Sequence, residues 1–143
     1  MDVNDGACAG DITPKQTWEM MNQNLKASLL DVRTPAEWTY VGIPDLSSLA
    51  RQPILVPWIL FPTMEPNPDF VNQISGMEVD PEQDLLVLCR SGQRSKSAAI
   101  ALTAAGFSAC YNISYGFEGD KDQAGHRGTI NGWKVDALPW TQG

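Results

Sequence analysis

The stretch Leu85-Leu86-Val87-Leu88-Cys89-Arg90-Ser91-Gly92-Gln93-Arg94-Ser95 decides how the rest of the chain is read. Its first four residues are apolar on both faces, as a strand is when its sheet is covered on both sides. Gly92 marks a turn. From Ser95 to Ala105 the pattern is helical, with Ala98, Ala101, Leu102 and Ala105 on one face. Small residues there let a helix lie close to a sheet, and Gly106 supplies a C-cap. A buried strand, a tight loop and a helix, in that order, form the repeating unit of a parallel α/β sheet.

The same grammar extends in both directions. Upstream, Thr13-Pro14 starts a helix to about Asn24, with Trp18, Met21 and Leu25 as its apolar face. Ala27 to Arg33 reads as a short buried strand, and Thr34-Pro35 opens a helix that carries Trp38 and ends near Gly42. Ile54-Leu55-Val56-Pro57 is a second buried run. Three prolines make the stretch from Phe61 to Pro68 a loop. Asp69 to Ser75 is a short helix with Phe70, Val71 and Ile74 inward. Downstream, Cys110 to Ser114 is one more strand. The segment from Gly116 onward holds six of the twelve glycines and reads as irregular, pinned by Trp133 and Trp140.

The chain has 143 residues, enough for one domain, and 43% are apolar, enough for one core. The domain is expected to span residues 1–143, with a core of about 11–119, a loose N-terminus at 1–10 and an irregular extension at 120–143. A net charge of −7 argues against a nucleic-acid or anionic-membrane partner, which would require a basic face. No apolar run reaches the length of a membrane span, and no signal peptide is visible, so a cytoplasmic location is expected. Three cysteines, Cys8, Cys89 and Cys110, fit neither a zinc pattern nor a disulfide framework. Charge is uneven: from Leu85 to Phe117 there is no Asp or Glu, while Arg90, Arg94 and Lys96 cluster there. That window suits a small anion.

Cys89 stands at the carboxyl end of a buried strand, where open α/β sheets bind ligands. A helix N-terminus follows directly, with unpaired N–H groups and a positive dipole end. These features, with Arg90 and Arg94 nearby, favour thiolate over thiol. Gly92 permits a turn that converges backbone N–H groups on one point. The result is an anion cradle with a nucleophilic sulfur at its base. A cysteine that merely ends a strand leaves the two arginines, the glycine and the helix start unexplained.

With those residues in view, the chain resembles the single-domain rhodanese-like sulfurtransferases. Cys89-Arg90-Ser91-Gly92-Gln93-Arg94-Ser95 is similar to their active-site loop. Leu30 to Trp38 is similar to their upstream Asp-Val-Arg segment, here Asp31-Val32-Arg33. Tyr111-Asn112-Ile113 and Gly116-Phe117-Glu118-Gly119 resemble the strand and Gly-rich turn after the catalytic helix. The resemblance runs from about Asp11 to Gly119. It departs at Val41-Gly42-Ile43-Pro44-Asp45-Leu46, where the family often has Gly-His-Ile-Pro-Gly-Ala, and along Asp120 to Gly143.

The resemblance implies a three-layer α/β domain. Its central, mostly parallel sheet has about five strands, with helices on both faces. It also implies catalysis at Cys89, which takes sulfane sulfur from a thiosulfate-like anion as a persulfide. The sulfur then passes to a thiol, cyanide or protein acceptor. Arg90, Ser91, Gly92, Gln93, Arg94 and Ser95 would bind the substrate, and Asp31 and Arg33 would support the loop. No metal or organic cofactor is required. A persulfide relay serving a partner protein is the alternative. Phosphatases and arsenate reductases of the related fold carry C-x5-R; here Cys89 to Arg94 is C-x4-R, a smaller cradle.

Other candidates have structural readings. Asp31–Arg33 suits an ion pair between loops, Cys110 a core hydrophobe and Lys96 a solvated side chain. Cys8 is expected to be incidental, although it could form a disulfide with Cys89. His126 suits a structural hydrogen bond, and Trp58 either core or pocket.

Overall fold

The computed structural model describes residues 8–60, 63–77 and 79–142. Five parallel strands form the central sheet: β1 (Gly10–Ile12), β2 (Ser28–Asp31), β4 (Ile54–Leu55), β7 (Leu85–Leu88) and β8 (Cys110–Ile113). Their spatial order is β1-β8-β7-β2-β4, and every neighbouring pair runs parallel. Two short antiparallel ribbons flank the sheet. One pairs β3 (Ile43–Pro44) with β9 (Trp140–Thr141), the other β5 (Ile59–Leu60) with β6 (Glu65–Pro66). Among the described residues, four α-helices, α1 (Pro14–Gln23), α2 (Pro35–Tyr40), α3 (Phe70–Ser75) and α4 (Gln93–Ala104), lie between strands. This is the expected α/β architecture.

Strand alternation divides the core in two. Leu85, Val87 and Cys89 face one way, with Leu30, Val32 and Cys110, and are covered by Phe70 and Ile74 of α3 and Ala98, Ala99 and Leu102 of α4. Leu86 and Leu88 face the other way, with Leu29 and Ile113, and are covered by Met21 of α1, Phe117 and Trp133. A strand whose alternate residues enter two cores must be apolar throughout, which explains the unbroken Leu85–Leu88 run.

Helix starts follow the local sequence. Thr13 and Thr34 each accept a hydrogen bond from the backbone N–H three residues on, at Gln16 and Glu37, whose side chains reach back to the cap. Both are capping boxes with proline at the first helical position.

The structure corrects several local expectations. Helix α4 starts at Gln93, because Gly92 takes up a left-handed φ of 111° and occupies the cap. Its buried face is Ser95, Ala98, Ala99 and Leu102; Ala105 is exposed and Ala101 only half-buried. Leu25 lies past the end of α1 and is 87% exposed. Strand β4 is an edge strand, so Leu55 is exposed although Val56 is buried. Glu65-Pro66 pairs with Ile59-Leu60 instead of remaining loop, and proline is tolerated on such a two-stranded edge. Phe61, Pro62 and residues 1–7 of the expected loose N-terminus lie outside the described residues, but Gly10 is already in the sheet. Val71 is half-buried, while Phe70 and Ile74 are fully inward. Among the described residues, no helix is long and apolar enough to cross a membrane.

Candidate active site

Cys89 directly follows β7, whose neighbours in the sheet are β2 and β8. The chain continues from β2 to β4 on one side of this point and from β7 to β8 on the other. The carboxyl ends of β2 and β7 therefore open a crevice at the reversal of strand order.

Cys89 is 1% exposed, and among the described residues its sulfur has two hydrogen-bonding neighbours. The Gly92 N–H donates to Cys89 Sγ at 3.1 Å, and Ser95 Oγ lies 3.2 Å away. Direction follows from counting hydrogens. Lys96 Nζ pairs with Asp11 at 3.1 Å, so the Asp11 carboxylate accepts, and Asn112 Nδ2 donates to it at 3.0 Å. That turns the Asn112 carbonyl toward Ser95, whose hydroxyl donates to it. A hydroxyl carries one hydrogen, so in this arrangement the thiol of Cys89 donates to Ser95 Oγ. The hydrogen bond from Asn112 is the main cause holding the Asp11 carboxyl below its ordinary range; partial burial opposes it and Lys96 reinforces it.

A cavity of about 270 Å³ opens above Cys89, lined also by Arg90, Ser91, Gln93 and Arg94 of the loop, Glu37 of α2, and Ile59 and Met64 of the β5–β6 ribbon. Arg94 is not free to reach into it alone. Its guanidinium grips the Glu37 carboxylate twice, at 2.8 and 2.9 Å. Lys96 is held by Asp11, so the basic window of the sequence is largely neutralised in space by acids from distant segments. Arg90 remains exposed at the rim.

The floor of the loop is braced by the turn at Gly116. The N–H groups of Phe117, Glu118 and Gly119 donate to the carbonyls of Cys89 and Arg90 at 2.8–3.2 Å. Gly116 has φ of 61°, and a Cβ there would collide with the Cys89 carbonyl oxygen and lie 2.6 Å from the Arg90 carbonyl carbon. Only glycine meets both demands.

The family model for the STR4 middle domain matches residues 9–143. The chain belongs to the STR4 middle-domain family. It is 36% identical over 131 residues to the uncharacterized protein RC0915 of Rickettsia conorii, covering 91% of this chain and 95% of that protein. The crystal structure of Rv0390 from M. tuberculosis matches with a TM-score of 0.89 and 45% identity, covering 96% of this chain and 100% of the other. The chloroplastic rhodanese-like domain-containing protein 4 of Arabidopsis thaliana is 26% identical over 129 residues, 90% of this chain but 25% of that longer protein. The fold is rhodanese-like.

Within this STR4-type domain, Asp31 and Arg33 form a fully buried pair. Arg33 NH2 lies 2.6 Å from Asp31 and 2.7 Å from the Gly42 carbonyl, and the guanidinium stacks 4.4 Å from the Phe117 ring centroid. Neither residue lines the Cys89 cavity. Cys110 is buried, and burial pushes its thiol up to about 11. Cys8 is half-buried beside the α3–α4 core, with its thiol directed at the Gly10 carbonyl. Trp58 packs edge-on against Phe70 at 5.0 Å and belongs to the core. The His126 backbone is tied to Asp122, while its side chain is exposed.

Sequence reasoning missed Glu37, Asp11 and Asn112 as site neighbours. Glu37 had a visible signal as the third residue of a capping box. Asp11 and Asn112 are brought together only by the pairing of β1 with β8.

The Glu37–Arg94 brace gives a pH dependence. Burial opposes the Glu37 charge, but the hydrogen bond and charge of Arg94 more than offset it, holding the carboxyl below its ordinary 4.5. Arg94 is raised in turn, its burial outweighed by Glu37. A carboxylate depressed on folding stabilises above its unfolded value, and that contribution is lost as pH falls through the folded value. Glu37→Gln is therefore expected to cost about 1–3 kcal/mol at pH 7. In urea titrations the difference from wild type shrinks below pH 4.5.

Proposed function

We propose that this domain is a sulfurtransferase that moves sulfane sulfur from a thiosulfate-like anion to a thiophilic acceptor through a persulfide on Cys89. The observation that carries this reading is the sulfur's position. That sulfur belongs to a buried residue that lines a small cavity, held by the Gly92 N–H and Ser95, at the N-terminus of a helix of 12 residues.

In the first step the Cys89 thiolate attacks the outer sulfur of thiosulfate. A sulfur–sulfur bond forms to Cys89, the bond to the sulfonate sulfur breaks, and its electron pair leaves with sulfite. Ionisation of Cys89 gives up to solvent the hydrogen it directs at Ser95 and lets the Ser95 hydroxyl swing from Asn112 to the sulfur. Gly92, Ser91 and Gln93 supply loop backbone around the incoming sulfur. Arg90 and Arg94 supply positive charge, Arg94 with its orientation fixed by Glu37. Covalent transfer of this kind proceeds by ping-pong kinetics.

The loop of C-x4-R spacing and the cavity of about 270 Å³ favour a single transferred sulfur over a tetrahedral phosphoryl group. Intact mass after exposure to thiosulfate tests the proposal. An adduct of one sulfur on Cys89 supports it. Efficient aryl phosphate hydrolysis that depends on Cys89 overturns it.

A further inference from the structure

The segment after the Gly-rich turn has no part in the chemistry at Cys89, yet it is built as a wall beside it. The Asp122 carboxylate accepts from the N–H groups of Ala124 and His126 at 2.9 Å each and from the Thr129 hydroxyl at 2.8 Å. Gly128 N–H donates to the Glu118 carbonyl at 2.7 Å, and Arg127 donates to the Gly119 carbonyl at 2.7 Å. These bonds fix a loop that contains no helix or strand and leave Lys121 and His126 exposed.

Together with α2 and the Cys89 loop, this wall borders a second, open cavity of about 620 Å³. Glu37, Arg90, Glu118, Lys121, His126 and Arg127 line it. Glu37 and Arg90 also line the Cys89 cavity, so the two spaces adjoin. The larger space is well beyond what thiosulfate needs and is in the range of sites for small organic ligands. Glu37 is neutralised by Arg94. Among the lining residues, that leaves Arg90, Lys121 and Arg127 against Glu118, while the Asp122 carboxylate behind them is turned to the N–H groups of Ala124 and His126 and the Thr129 hydroxyl; the lining is a local positive excess on a chain of net charge −7.

We infer that this second cavity is the acceptor site, and that it takes a peptide-sized thiol bearing carboxylates and an ammonium group. Lys121, His126, Arg127 and Arg90 meet the carboxylates, and Glu118 meets the ammonium. The thiol end reaches across Glu37 and Arg90 to the persulfide. The inference rests on the persulfide reading for its chemistry. The acceptor thiolate attacks the outer sulfur of Cys89–S–SH. A bond forms between the acceptor sulfur and that outer sulfur, the bond from the outer sulfur to Cys89 Sγ breaks, and its electron pair stays on Cys89 as thiolate. The acceptor leaves as its persulfide with the proton, and no oxidant or reductant is consumed.

Binding is tested without turnover. S-Methylglutathione, which cannot accept sulfur, is titrated calorimetrically into the intact protein at low salt. It is expected to bind the wild type, more weakly in 0.5 M salt, since exposed charges are screened. The Lys121→Glu/His126→Glu double variant is expected to lose at least about tenfold in affinity and the milder Lys121→Ala about threefold. In the acceptor step, KM for glutathione rises in these variants, while 2-mercaptoethanol turnover and thiosulfate loading of Cys89 stay within about twofold. No binding to wild type, equal binding to the variants, or an equal loss for both thiols overturns the inference. Failure of thiosulfate to load Cys89 counts against the proposed donor step alone, because the calorimetric result stands apart from it.

Discussion

Mixed with thiosulfate, the wild-type chain is expected to gain about 32 Da, one sulfur, and the Cys89→Ser variant nothing. Turnover with any acceptor falls by at least ~1,000-fold in that variant, because a serine hydroxyl is a poor nucleophile at neutral pH. The cost to stability is small, about 1 kcal/mol, since a hydroxyl at position 89 still meets the Gly92 N–H and Ser95. Folding and chemistry are thus separated by one atom. The other thiols serve as internal controls. Cys110 is buried with its thiol pushed up to about 11, and it lies on the strand beyond the loop. Cys8 is beside the α3–α4 core. Cys8→Ser and Cys110→Ala are expected to keep the full mass gain. A gain that persists in Cys89→Ser, mapped by peptide digestion to another cysteine, would refute the assignment.

Trp133→Ala is the substitution expected to cost the most stability. The indole is fully buried in the α1 side of the core, edge-on to Trp18 at 6.1 Å, and its Nε1–H donates to the Pro139 carbonyl at 2.8 Å. Truncating a large buried aromatic costs about 3–5 kcal/mol. A domain of this size is stable by about 5–15 kcal/mol, so a drop in Tm of about 10–20 °C is expected in a thermal scan. Trp133→Phe, which keeps most of the volume, recovers most of it. The loss also reaches the site. The Trp133 N–H donates to the Gly116 carbonyl at 2.8 Å, and Gly116 sits under the Cys89–Arg90 backbone. Loosening the C-terminal segment therefore loosens the turn that braces the Cys89 loop. If Trp133→Ala melts within about 3 °C of wild type, this segment is an appendage and not core.

Lys134 shows how far that integration extends. Its ammonium lies 3.9 Å from the Trp140 ring centroid and donates to the Val41 carbonyl at 3.0 Å. Burial lowers its pKa, against the pull of Glu118 and with the push of Arg33. Lys134 and Arg33 both lie over the Phe117 ring, 5.2 and 4.4 Å from its centroid. The C-terminal segment, the Asp-Val-Arg strand end and the Gly-rich turn therefore share one polar and aromatic cluster. Of this cluster the sequence showed only Trp133 and Trp140 as pins of an irregular segment.

What was legible before folding was local. The unbroken apolar run Leu85–Leu88 named β7, because a strand between two covered faces has no polar side to show. Thr-Pro pairs named two helix starts, because caps and first-turn prolines act within a few residues. Cys89 was legible for the same reason: the strand end, the glycine and the helix start are contiguous in the chain. Burial of the Leu25 and Ala105 positions was misread, because a helical face is set by what the helix packs against and not by its own periodicity.

The tertiary structure alone decided the charges and the walls. Arg94 and Lys96 read as a free basic window, yet Glu37 and Asp11 come to them from 57 and 85 residues away. The order of hydrogen bonds from Lys96 to Cys89 exists only because β1 adds to the outside of β8. Ile59, Met64 and the segment around His126 become cavity walls only when their ribbons and turns fold back over the loop. Short-range preferences fix which backbone each segment adopts. Electrostatic pairing and cavity shape depend on distances across the sheet, and those distances are not written in neighbouring residues.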